Sequence, residues 1–163
     1  MNTPNNSLRK FFGLFIVIVT STFSVQAQNW IQLGNDMDGE AEDDYSGYNV
    51  SANSSGDVVA VGALFNDDGG RDAGHVRVFE WNGSAWVQRG TDIDGEAAED
   101  YSGRSVSLNS TGNLVAIGAQ GNDGNSVDLY NDNGHVRVYE WNGSAWVQRG
   151  SDIDGEAEGD ISG

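Results

Sequence analysis

No cysteine occurs among the 163 residues, which excludes disulfides, thiol catalysis and thiolate metal sites. Basic side chains are scarce as well: eight Lys plus Arg stand against 25 Asp plus Glu, and two of the eight, Arg9 and Lys10, lie in the first ten residues. Past residue 27 only six Arg face all 25 acids, a formal charge of −19. Nucleic acid and anionic lipid are poor partners for such a surface. A solubilising coat is the plainer reading of the charge and cation binding the sharper one. Long apolar runs are missing too. The run Phe11–Val19, FFGLFIVIV, falls well below the roughly 20 residues a spanning helix needs. With Arg9 and Lys10 before it and the small-residue tail STFSVQA after it, residues 1–27 have the layout of a secretory signal peptide cleaved after Ala27. The expectation is a secreted or cell-surface protein without membrane insertion, held together by packing, hydrogen bonds or hard cations.

What the sequence does have is repetition. Glu80–Ala97, EWNGSAWVQRGTDIDGEA, returns at Glu140–Ala157 with Thr91 replaced by Ser151 as the only change. Near-verbatim repetition signals a stacked structural unit, whereas a catalytic site is one constellation of unlike residues. Aligning Trp30, Trp86 and Trp146 gives a period near 60, and the variation in length falls in one loop. Each period reads strand, turn, strand, loop, strand, turn, strand. Ser105–Ala119 pairs an alternating strand with a continuous apolar one through a Ser/Thr/Gly/Asn turn, as does Asn49–Ala63. The third strand, His135–Trp141, meets the fourth, Trp146–Gly150, through NGSA. Asn-Gly predicts a type I′ hairpin turn that sets Trp81 opposite Trp86 and Trp141 opposite Trp146. Asn82-Gly83-Ser84 and Asn142-Gly143-Ser144 also match the N-glycosylation sequon.

Four antiparallel strands per period, with almost no helix signal, predict an all-β chain of β-propeller blades. On this reading residues 28–44 hold a lone outer strand, Trp30–Gly34, and an acidic connector. Residues 45–100 and 101–160 are two full blades, and 161–163 begin a truncated third. Two blades do not close a ring of roughly four to eight. The chain therefore reads as a piece of a longer protein, the alternatives being assembly with other copies and self-association through exposed blade edges.

Asp100–Gly124, DYSGRSVSLNSTGNLVAIGAQGNDG, followed by GHVRVYEW, resembles the FG-GAP type of repeat found in integrin alpha-subunit propellers and in many secreted bacterial proteins. The resemblance covers nearly all of the chain after the signal peptide. Ser46-Gly47 and Ser102-Gly103 stand where that family has Phe-Gly, and Gly62-Ala63-Leu64 and Gly118-Ala119-Gln120 where it has Gly-Ala-Pro. The resemblance implies a propeller of about seven blades, used in adhesion or ligand binding, with calcium held by some blades.

The connectors offer chemistry of their own. Asp36, Asp38, Glu40 and Asp44; Asp92, Asp94, Glu96 and Asp100; and Asp152, Asp154, Glu156 and Asp160 occupy offsets 1, 3, 5 and 9 of three copies of one motif. Carboxylates at alternate positions around a glycine can converge on Ca²⁺, which takes six to eight oxygens. The glycine sits at offset 4 rather than 6, and no Glu closes the loop, so a solvated acidic turn is the competing reading. His75 and His135 open the same strand in each repeat and read as structural. Arg77, Arg89, Arg137 and Arg149 recur in register and are placed to pair with connector carboxylates of a neighbouring blade. The non-repeated feature is the loop Asn122–Gly134, where Asp128, Tyr130, Asn131 and Asp132 would suit an extracellular protein or glycan ligand, with Tyr130 as a stacking surface; an inconsequential insertion is the plainer account. No nucleophile elbow, phosphate loop or zinc spacing is present. The reading is a non-catalytic binding or adhesion module. Its rivals are a propeller enzyme acting on polysaccharide and a purely structural surface protein.

Overall fold

The computed structural model describes residues 29–123, 133–157 and 159–163. The signal segment 1–27 and the loop residues Asp128, Tyr130, Asn131 and Asp132 lie outside the described residues. Contacts divide the chain into Met1–Ile31 and Gln32–Gly163. In the first unit Trp30 is 99% and Ile31 87% exposed.

The second unit is all β among the described residues, with two antiparallel sheets. The first contains β1 (Ser46–Ala52), β2 (Val58–Ala63), β3 (His75–Trp81), β4 (Trp86–Gln88) and β5 (Ile93–Asp94). The second contains β6 (Ser102–Leu108), β7 (Leu114–Ala119), β8 (His135–Trp141), β9 (Trp146–Gln148) and β10 (Ile153–Asp154). In the first sheet β1, β2, β3 and β4 lie side by side in chain order, and β5 pairs with β3 beyond the end of β4. The second sheet repeats this pairing with β6 to β10. Registers repeat residue for residue: Val61 opposes Arg77 as Ile117 opposes Arg137, and the bulge between Ser46 and Asn49 recurs between Ser102 and Ser105.

Two expectations change. The stretch 30–34 forms no strand. Instead the Leu33 carbonyl accepts a hydrogen bond from Trp86 Nε1 at 2.8 Å, as the Arg89 carbonyl does from Trp146 Nε1 at 2.7 Å. The four-residue stretch Asn82–Ala85 is also not a type I′ turn, because only its glycine takes positive φ (Gly83, +96°). Asn82 Oδ1 accepts from the backbone N–H groups of Ser84 and Ala85, each at 2.9 Å. The side chain closes the loop, so its own backbone is free of the left-handed conformation. The aromatic pairs are in place: Trp81 opposes Trp86 and Trp141 opposes Trp146, with ring centroids 5.5 Å apart in both.

The core lies between the two sheets. Val58, Ala60, Val76, Val78 and Ile93 of the first meet Val115 and Ile117 of the second. Side chains alternate along a strand, so β2 turns its even-numbered residues and β7 its odd-numbered residues into this layer. Leu114 and Ala116, the copies of Val58 and Ala60, face away from it and are only half-buried. The close approach depends on glycine. A Cβ on Gly62 would overlap the Gly103 carbonyl, and one on Gly118 would overlap the backbone of Gly163. Asn49 Oδ1 and Ser51 Oγ of β1 accept from the backbone N–H groups of Val106 and Leu108 of β6 at 3.3 and 2.9 Å. Gly74 bridges in parallel to Ser102, as Gly134 does to Ser162.

Candidate metal centre

The connectors are not free acidic turns. Their first acid is held by a glutamine four residues earlier: Gln32, Gln88 and Gln148 donate Nε2 to Asp36, Asp92 and Asp152 at 2.7, 2.6 and 2.6 Å. The residues at the third and fifth offsets are gripped by arginines from later in the chain. Arg77 Nη2 donates to the Asp38 carbonyl at 2.7 Å and Nη1 lies 3.5 Å from Glu40. Arg137 treats the Asp94 carbonyl and Glu96 alike, at 3.2 and 3.1 Å. Both arginines are nearly buried and lie over a ring two residues on, Phe79 at 5.4 Å and Tyr139 at 5.7 Å from the centroid. The expected pairing of arginines with connector carboxylates is thus made by Arg77 and Arg137. Arg89 and Arg149 instead pair with Glu80 and Glu140 of their own hairpins.

The acid at the ninth offset turns inward in the first two connectors and is exposed in the third. Asp44 is buried and accepts from Asn66 Nδ2 at 3.0 Å. Asp100 is buried and accepts from Asn122 Nδ2 at 3.2 Å and from the backbone N–H groups of Glu96 and Ala97 at 3.1 and 3.0 Å. Asp160 accepts from the Ala157 N–H at 2.8 Å. Asp100 and Asp160 thus bond the backbone of their own connectors, and Asp44 bonds the Asn66 side chain. Asp38, Asp154 and Glu156 are exposed.

Among the described residues, the acids of any single connector do not gather on one point. The groups that do gather span successive connectors. Glu40 of the first and Asp92 of the second meet Asp68 and His75, with one ligand atom from each within 4.8 Å of every other. Glu96 of the second connector and Asp152 of the third meet His135 in the same way. The ring nitrogen His75 Nδ1 lies 3.8 Å from Glu40 Oε2, and His135 Nδ1 lies 4.0 Å from Asp152 Oδ2. Both rings are 1% exposed. His75 Nδ1 and His135 Nε2 have no hydrogen-bond partner. The charge collected here also acts on a neighbour: Asp94, opposite His75 in the β3–β5 pairing, has its carboxyl pKa raised, first by burial and then by Asp92, with Asp68 adding to the effect and His75 opposing it.

From the sequence alone the two histidines read as structural, and nothing marks Asp68. The usable signal was the recurrence of His at the start of the third strand, opposite the aspartate of a connector that β5 and β10 fold back onto it. That pairing needs a fifth strand which two residues, Ile-Asp, do not announce. No family model and no curated protein matches the chain. No helix among the described residues is long and apolar enough to cross a membrane.

Proposed function

We propose that the chain is a run of β-propeller blades of FG-GAP type that serves outside the cell as a non-catalytic binding or adhesion module. The observation that supports this best is the repetition of the docking contacts as well as of the sheets. The Gly62–Gly103 approach and the Gly74–Ser102 bridge both have copies one repeat later, at Gly118–Gly163 and Gly134–Ser162. The outer face with Leu114 and Ala116 is the face that Val58 and Ala60 present to the second sheet, so a further repeat would dock on it by the same contacts. Gly62 and Gly103, which touch across the two sheets, belong to the Gly-Ala and Ser-Gly pairs that stand in for the family's signature residues. Four buried polar groups recur with the repeat and make structural contacts: Asp44 with Asn66, Asp100 with Asn122, and Arg77 and Arg137 with connectors.

The test separates binding from turnover in one sample. The chain is immobilised and presented with a panel of extracellular polysaccharides and matrix proteins, and each polysaccharide is then assayed for new reducing ends. Retention of a panel member without new reducing ends supports the module. Release of reducing ends at a catalytic rate would establish the polysaccharide enzyme in its place.

A further inference from the structure

We infer that Glu40, Asp68, His75 and Asp92 form a site for a borderline divalent transition cation. The inference rests on the cross-connector geometry alone and stands whether or not the sheets are propeller blades. Three of the four positions recur at the same places in the repeat, Glu40 as Glu96, His75 as His135 and Asp92 as Asp152. The counterpart of Asp68 falls in the loop that differs in length.

Acidic clusters on acidic proteins are common, so the histidine decides the matter. The His75 ring is 1% exposed, and its Nδ1 has no hydrogen-bond partner while lying 3.8 Å from Glu40 Oε2, a buried polar atom aimed at carboxylates but too far from them to bond. A cation would satisfy it. Imidazole nitrogen favours zinc-like ions, whereas Ca²⁺ and Mg²⁺ prefer sets made of oxygen alone. One nitrogen and three carboxylate oxygens match the donors and number of a four-coordinate zinc site. Zinc–ligand distances of about 2.0 to 2.2 Å put neighbouring ligand atoms about 3.4 Å apart, so the present spread of up to 4.8 Å closes through side-chain rotations of roughly an ångström. The supporting contacts are also present. Gln88 donates to Asp92 at 2.6 Å, and Arg77 holds the second carboxylate oxygen of Glu40 at 3.5 Å, the outer contacts that orient metal ligands. Because the ligands come from two connectors and the strand between them, the ion would staple successive connectors together.

The test uses the full chain, stripped with chelator. Zn²⁺ is titrated in competition with a chromophoric chelator, with and without a hundredfold excess of Ca²⁺, and Co²⁺ serves as a spectroscopic reporter. The expected result is one Zn²⁺ per chain, an affinity unmoved by calcium, and Co²⁺ absorption bands of low-coordinate nitrogen–oxygen ligation. Asp92→Asn should weaken the site by about tenfold or more, on the scale that even outer-contact changes reach, whereas Glu96→Gln, outside the site, should leave its affinity unchanged. His75→Gln should abolish its site. Because a buried histidine is a risk to folding, Glu40→Gln, at a 38% exposed side chain, provides the same test on a folded protein. Zinc binding untouched by Glu40→Gln and Asp92→Asn would overturn the inference, as would displacement by calcium or no binding at all.

Discussion

The two sheets share a backbone and differ in what covers it. Val58 of the first sheet and Leu114 of the second hold the same place in the repeat, yet Val58 is buried and Leu114 only half-buried. Phe65 packs edge-on between Tyr45 and Tyr101, at 5.1 and 5.8 Å, where the second repeat has Gly121. Arg89 lies over Trp141 and Trp146 of the next hairpin, at 5.0 and 5.8 Å from their centroids, and Leu33 stands at the same place before Trp86. What stays constant is the close backbone approach, of Gly62 to Gly103 between the sheets and of Gly118 to Gly163 one repeat later. Side chains around that approach have drifted, while the glycines have no room to change.

That contrast is sharpest at the glycines. Gly62→Ala forces a methyl group against the Gly103 carbonyl, and an overlap with backbone should cost about 3 kcal/mol, the upper end of overpacking. Gly47→Ala meets nothing within 4 Å at φ +88° and should cost only about 1 kcal/mol of backbone strain. Urea unfolding with unchanged m-values would measure both; equal costs would remove the claim that Gly62 is a docking residue. Next in size, Val58→Ala should cost about 2 kcal/mol through lost burial and the cavity left behind, and Leu114→Ala about 1 kcal/mol, although leucine loses more atoms. A larger loss at Leu114 would contradict the placement of the core between the sheets. Converting Arg89 to the residue found one repeat earlier, Arg89→Leu, removes a cation over two indoles and a hydrogen bond to the Gly112 carbonyl at 3.2 Å. It should cost about 1 kcal/mol and shift the fluorescence of Trp141 and Trp146 without moving that of Trp81 and Trp86.

The smallest effect separates the two turns. Asp57 accepts from Asn53 Nδ2 and Ser55 Oγ at 2.7 Å each, and these bonds lower its pKa below 3.8. Asn113 holds the same place in the second turn, accepting from Asn109 Nδ2 at 2.7 Å, and does not titrate. A depressed carboxylate stabilises the fold fully above its unfolded pKa, and that contribution is lost as pH falls through the folded value. The window therefore lies below pH 3.8. Carboxyl-detected NMR should show Asp57 titrating below its ordinary value, and Asp57→Asn should flatten the acid limb of stability in that window. A titration at or above 3.8 would remove the distinction.

Much of this architecture was legible in the repeats. Alternation in Asn49–Ala52 and Ser105–Leu108, the apolar runs after them and the paired tryptophans place eight strands, because strand period and hairpin length are local properties. The Ile-Asp strands β5 and β10 were not legible, since two residues have no period. Nor was the regrouping of the connector acids. Offsets along one loop do not show that Glu40 meets Asp92 from 52 positions away, or that Asp100 turns inward to bond its own backbone. The meeting of Glu40 with Asp92 depends on how one sheet docks on the next, which is tertiary information, whereas the Asp100 bonds are local and depend on the backbone shape of one turn.

The central claim is that one repeat docks on the next by contacts that propagate. Its most direct test is a chain built from seven copies of residues 45–100, imaged by negative-stain electron microscopy and sized in solution. The account predicts a monomeric disc with an axial hole, since a propeller of roughly four to eight blades closes on itself. An open, elongated array, or separate sheets joined by loose connectors, would contradict it.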